Sequence, residues 1–151
     1  REKGYRQVLQ RAGIEPVVLT VDFNTPNSER PGLIRERLNL VADDVDAVFA
    51  TDDLAAAQVM EWAAQRDLRI PDDFKVIGFD GTVAMRHALP ALTTIQQPIT
   101  KLARAAVDLL LKRIDSATAV SAQSTQSGGP GVEDLQAPSP MPVKLLPGRT
   151  A

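Results

Sequence analysis

The chain has 151 residues, 44% hydrophobic and 24% charged, with a formal net charge of -2 and no cysteine. That is enough chain for one hydrophobic core, in proportions ordinary for a soluble globular protein. The charge balance gives no overall positive field to draw nucleic acid, the missing cysteine excludes disulfides and thiolate metal sites, and no apolar run approaches the ~20 residues a membrane helix needs.

The chain opens on Arg1 inside a helical pattern, with no signal peptide visible, and the expectation is a piece of a longer protein. Glu2 to Arg11 reads as a helix, because Tyr5, Val8, Leu9 and Ala12 recur at helical spacing and Gly13 marks a stop. Val17 to Val21 is β-branched and apolar and reads as a strand; Asn24 to Asn27 is a loop. Ser28 is placed to cap a helix that carries Pro31 in its first turn and buries Leu33, Ile34, Leu38 and Val41. Asp46 to Ala50 is the next strand. Thr51 or Asp52 then caps a helix to about Arg66, with Ala55, Ala56, Val59, Met60 and Ala63 inward. Phe74 to Phe79 is a third strand after the turn at Ile70 to Asp73, and Leu92 to Ile95 is short and β-like. Pro98 breaks it, and Ile99 to Ile114 is an amphipathic helix with Leu102, Ala106, Leu110 and Ile114 on one stripe. Ser116 to Pro142 is rich in Ser, Gln, Gly and Pro and reads as a flexible linker, before a last short strand at Val143 to Leu146. Alternating strands and helices imply an α/β fold with a parallel sheet flanked by helices.

Each of the main apolar runs ends in acid: Asp22, then Asp52 with Asp53, then Asp80. Ligands of an open parallel sheet bind outside the carboxyl ends of its strands. These carboxylates are therefore expected near one rim, with Phe23 and Thr51 among them, suited to a small polar molecule offering hydroxyls or amines. Asp52 and Asp53 admit two readings. One is an N-cap with a second acid near the helix dipole; the other is an acidic pair for Mg²⁺, as in a phospho-accepting receiver domain. The second also needs a lysine after a late strand, and Thr93 to Gln96 has none. Asp80 precedes Gly81 and fits either a turn-forming Asx motif or a ligand contact. Phe23 fits a core position or a stacking platform. His87 is the single histidine and reads as a surface or interface residue, and no nucleophile with a base is apparent. No Gly-rich phosphate loop follows a strand.

Three strings combine: Ala47-Val48-Phe49-Ala50-Thr51-Asp52-Asp53-Leu54-Ala55, then Ile70-Pro71-Asp72-Asp73-Phe74-Lys75-Val76-Ile77-Gly78-Phe79-Asp80, then Pro90-Ala91-Leu92-Thr93-Thr94-Ile95-Gln96-Gln97-Pro98. In this order they resemble the LacI/GalR family of bacterial transcriptional regulators. Arg1 to Tyr5 is similar to that family's R-x-x-G-aromatic motif, and Arg149-Thr150-Ala151 to its terminal R-x-S, with Ala in the Ser place.

The resemblance implies a type I periplasmic-binding-protein-like effector domain, mainly its C-terminal lobe. Residues 1–96 would form that lobe, 97–115 a crossover helix belonging to an absent first lobe, 116–142 the linker and 143–151 a returning segment. It implies a cytoplasmic repressor without enzymatic activity or cofactor, dimeric, binding operator DNA through a helix-turn-helix outside this chain. The effector would be a sugar or a nucleobase-like molecule. Arg1, Phe23, Thr51 and Asp80 match the family's effector-binding positions, Thr51 standing where Asn is frequent. Ala55, Ala56, Met85 and Leu89 would lie near the two-fold. The alternative is a periplasmic sugar-binding protein of a transport system, which shares the fold. The Leu-Thr-Thr-Ile-Gln-Gln-Pro and terminal strings favour the regulator.

Overall fold

The computed structural model describes residues 1–22, 24–123 and 140–151. In chain order the elements are α1 (Glu2–Arg11), α2 (Arg30–Asn39), β1 (Ala47–Phe49), α3 (Asp53–Gln65), β2 (Lys75–Asp80), α4 (Val83–Ala88), β3 (Thr93–Gln96), α5 (Ile99–Gln123) and β4 (Lys144–Leu146). They form two units, Arg1–Gln96 with Lys144–Ala151, and Gln97–Val143.

The first unit is built on a four-stranded sheet of order β1-β2-β3-β4. β1, β2 and β3 are parallel, in register Val48 to Val76 and Phe79 to Ile95. β4 is antiparallel to β3, with Ile95 opposite Leu145, so the sheet is mixed. The core lies between this sheet and α3. Helical spacing puts Asp53, Ala56, Val59 and Ala63 on one side of α3, and Trp62 joins them in burial. Phe74, Val76 and Leu92 meet that face from the sheet side, and Leu38 of α2 adds to it. The Trp62 and Phe74 rings pack 5.4 Å apart at 60°, and the indole N–H donates to Asn39 Oδ1 at 2.9 Å. That gives the large ring a partner for its polar edge as well as apolar burial.

The C-terminal segment is stitched into the sheet by backbone groups. Thr150 is buried. Its hydroxyl donates to the Val76 carbonyl at 2.7 Å and accepts from the Thr93 amide at 2.9 Å, and its own carbonyl accepts from the Val76 amide at 2.7 Å. Gly148 lets the chain pass close, since a Cβ there would collide with the Ala91 carbonyl and the Leu92–Thr93 backbone.

Several expectations need correction. Residues 17–21 form no strand. A strand requires a ladder partner, and this segment faces β1 across a cavity of about 330 Å³ lined by Val17, Leu19, Val21, Ala47 and Phe49. It is tied to α1 by the Tyr5 hydroxyl, which donates to the Val17 carbonyl at 3.1 Å. Ser28 does not cap α2. The Pro26 carbonyl takes the Glu29 and Arg30 amides, so the helix starts at Arg30 with Glu29 as N-cap and no side-chain cap bond. Of its expected stripe only Leu38 is buried. α5 continues past Ile114 through Gln123, into the segment expected as linker. The stretch Ser116 to Gln123 holds three alanines and neither Gly nor Pro, so nothing in it stops a helix. Residues 124–139 of the expected linker lie outside the described residues.

Candidate functional site

Three of the four residues matched to effector-binding positions meet where β1 and β2 end. The Arg1 guanidinium donates to the Thr51 carbonyl at 2.5 Å and stands 3.8 Å from Asp80 Oδ1. It also lies over the Phe79 ring, 4.1 Å from its centroid. Side chains 44% and 33% exposed leave Arg1 and Asp80 open to solvent on one side. Such a pair contributes little stability; its value is that a charged donor fork and a charged acceptor are presented together beside an aromatic face.

Thr51 enters through its backbone. Its hydroxyl donates instead to Asp52 Oδ2 at 3.3 Å. Phe23 lies outside the described residues. The aromatic that does stand at the rim is Phe79, edge-on to Phe49 with centroids 6.3 Å apart. Sequence reasoning passed over it, although a strand-end aromatic directly before Asp80 was the signal available.

The four carboxylates have separate partners. Asp22 turns back on its own loop, accepting from the Asn24 amide at 2.7 Å. Asp52 is the N-cap of α3 and accepts from the Ala55 amide at 2.7 Å. Asp53 is 2% exposed. It points into the core, where Gly81 N–H donates to Oδ2 at 2.9 Å and the Thr94 hydroxyl donates to Oδ1. Asp52, Asp53 and Asp80, with Gln58, Thr82 and Met85, are among the residues that line a recess of about 350 Å³. Among the described residues no group of three His, Asp or Glu is disposed to hold a metal ion.

Asp80 sits at φ 108° and Gly81 at φ 57°. A non-glycine residue in that region is strained and must be held by its surroundings. Gly81 fits its place because it has no Cβ, which there would press on Gln96.

Of the residues expected near a two-fold, Ala55 and Met85 are half-buried beside the recess. Leu89 packs against the core. Ala56 is fully buried and offers no surface, because the helical phase of α3 aligns it with Val59 and Ala63. Leu54 and Val83 are the large apolar side chains exposed nearby.

Residues 1–129 match the family of periplasmic binding protein-like domains. The ribose operon repressor of Halalkalibacterium halodurans is 31% identical over 115 residues, which is 76% of this chain and 34% of that protein. The sucrose operon repressor of Pediococcus pentosaceus is 30% identical over all 151 residues, 41% of its own length. Among solved structures, the complex of the transcriptional regulator CelR with cellobiose superposes with TM-score 0.74 at 27% identity, over 99% of this chain and 41% of that one. The chain belongs to the periplasmic-binding-protein-like domain family, in the form that serves as effector-binding domain in LacI/GalR-type regulators. It spans about a third to two-fifths of the length of these relatives.

Proposed function

We propose that this chain is the effector-sensing C-terminal lobe of a cytoplasmic LacI-type repressor that responds to a sugar. The observation that carries the reading is the Arg1 guanidinium held between the Thr51 carbonyl, the Asp80 carboxylate and the Phe79 ring. A guanidinium fork and a carboxylate can each bond two neighbouring hydroxyls, and charge-assisted bonds are the stronger kind. An aromatic face beside them suits the apolar side of a sugar ring. The relatives named for sugar operons support the same class of ligand. They also favour the regulator over a transport binding protein. The role is recognition, with no catalytic step assigned to these residues.

Operator DNA would be read by a helix-turn-helix elsewhere in the intact protein, acting as a homodimer. A sugar could alter operator affinity only through contacts that differ between the two states of the protein. The dimer contact would involve the start of α3 and α4, where exposed Leu54 and Val83 flank Ala55 and Met85. Leu54→Glu with Val83→Glu should then convert the intact protein to monomer by light scattering.

The central test is calorimetric titration of the intact protein with ribose, sucrose and cellobiose. Asp80→Ala should weaken the sugar that binds by about tenfold to a hundredfold, the cost of losing a hydrogen bond to a charged group. Unchanged affinity would remove Asp80 from the site. Binding of none of the sugars, with operator affinity indifferent to all, would overturn the reading.

A further inference from the structure

We infer that Asp53 is a positioning residue of the effector rim: from inside the core its carboxylate fixes the Asp80–Gly81 peptide and so aims Asp80 at Arg1 and at a bound sugar. This rests on the effector reading above and names a residue that touches no ligand.

Asp53 is the first residue of α3, but that helix does not need it as a cap, since Asp52 already fills the role. Both oxygens of Asp53 act outside its own helix. Oδ2 accepts from Gly81 N–H at 2.9 Å, and Oδ1 accepts from the Thr94 hydroxyl of β3. Gly81 N–H belongs to the peptide that follows Asp80, so the bond sets the plane from which the Asp80 side chain departs. That peptide joins two left-handed residues, Asp80 at φ 108° and Gly81 at φ 57°. The only other side-chain bond described at Gly81 is the weak contact of Gln96 Nε2 with its carbonyl at 3.5 Å.

The surroundings are shaped to admit the carboxylate. Gly78 lies on β2 directly beneath it, and a Cβ there would collide with Asp53 Oδ1 and press on Leu92 and Thr94. A buried acid is costly unless its oxygens are bonded. Asp53 also directly follows Thr51 and Asp52, so the carboxylate that holds Asp80 is two residues from the carbonyl that holds Arg1. Both arms of the rim are thereby anchored within three consecutive residues, Thr51 to Asp53.

A double-mutant cycle separates positioning from plain core stability, because sites acting through one another are non-additive whereas independent losses add. In the intact protein, titrated with whichever of ribose, sucrose or cellobiose binds it, Asp53→Ala should weaken affinity about tenfold in the native background and less than about twofold beside Asp80→Ala. Asp53→Asn should stay within about threefold of native, because its amide keeps an acceptor for Gly81 and can donate to the Thr94 hydroxyl. Should Asp53→Ala fail to fold, Thr94→Val in the same two backgrounds replaces it, with a loss of about threefold confined to the native background. Equal losses with and without Asp80 would overturn the inference. If no sugar binds at all, the effector reading fails, and amide exchange across 78–82 then decides the positioning role. Faster exchange in Asp53→Ala or Thr94→Val but not in Asp53→Asn upholds it; exchange unchanged in every variant overturns it.

Discussion

The Arg69–Asp73 clasp shows what single residues do at the surface of this lobe. Arg69 Nε donates to Asp73 Oδ2 and its terminal nitrogen to Oδ1, both at 2.7 Å, and the Arg69 amide adds a third bond to Oδ2 at 3.0 Å. The side-chain hydrogen bond from Arg69, helped by its backbone amide, holds the Asp73 carboxyl down at about 2. The Arg69 guanidinium is raised in turn by the same bond. The folded value lies below the unfolded one, so the contribution of this pair is complete above the ordinary carboxylate range and is lost as pH falls toward about 2. It should be small, because Arg69 is 72% exposed. In an NMR titration Asp73 should protonate only as pH falls toward about 2, and Arg69→Leu should return it to near 3.8. An Asp73 that titrates alike in both proteins would show that the clasp does not form in solution.

At the scale of elements, what the sequence revealed and what it hid have separate physical causes. α3 was legible because three signals agree: Asp52 before it, small apolar residues at helical spacing within it, and a strand on its N-terminal side. Asp52→Ala should accordingly cost about 1 kcal/mol, the usual loss for a capping side chain. Urea unfolding followed by Trp62, which is 3% exposed and so a reporter of core exposure, should show a lower midpoint at unchanged slope. A midpoint that does not move would assign the cap bond no stabilising role. Residues 17–21 misled because β-branched composition describes a side-chain surface, whereas a strand exists only with a ladder neighbour, which no local pattern encodes. The rim was half legible for a related reason. Strand-end position pointed to Thr51 and Asp80, and the family resemblance to Arg1, but neither could tell that neighbouring acids diverge, Asp52 capping a helix and Asp53 turning inward. Asp52 is the extended N-cap outside the helix and Asp53 the first residue inside it, so the backbone changes direction between them, and sequence adjacency hides that change.

At the scale of the whole molecule, the two units differ in how their apolar side chains are used. The unit holding the sheet buries Leu38, Val59, Trp62, Phe74, Val76 and Leu92 in one cluster. In the other, α5 leaves Ile99, Val107, Leu110, Leu111 and Ile114 more than half exposed, and Leu102 38% exposed. Most helical stability in proteins comes from packing an apolar face, and an isolated helix in water opens readily. At about 25 cal/mol per Å² of apolar area, leaving several such side chains in water forgoes a few kcal/mol. Local opening free energies scale with such burial, so amides in 99–115 should exchange at least about a hundredfold faster than those of β2 in this chain at micromolar concentration. Exchange in α5 as slow as in β2, at a concentration where light scattering gives a monomer, would mean that the helix has found a packing partner within this single chain.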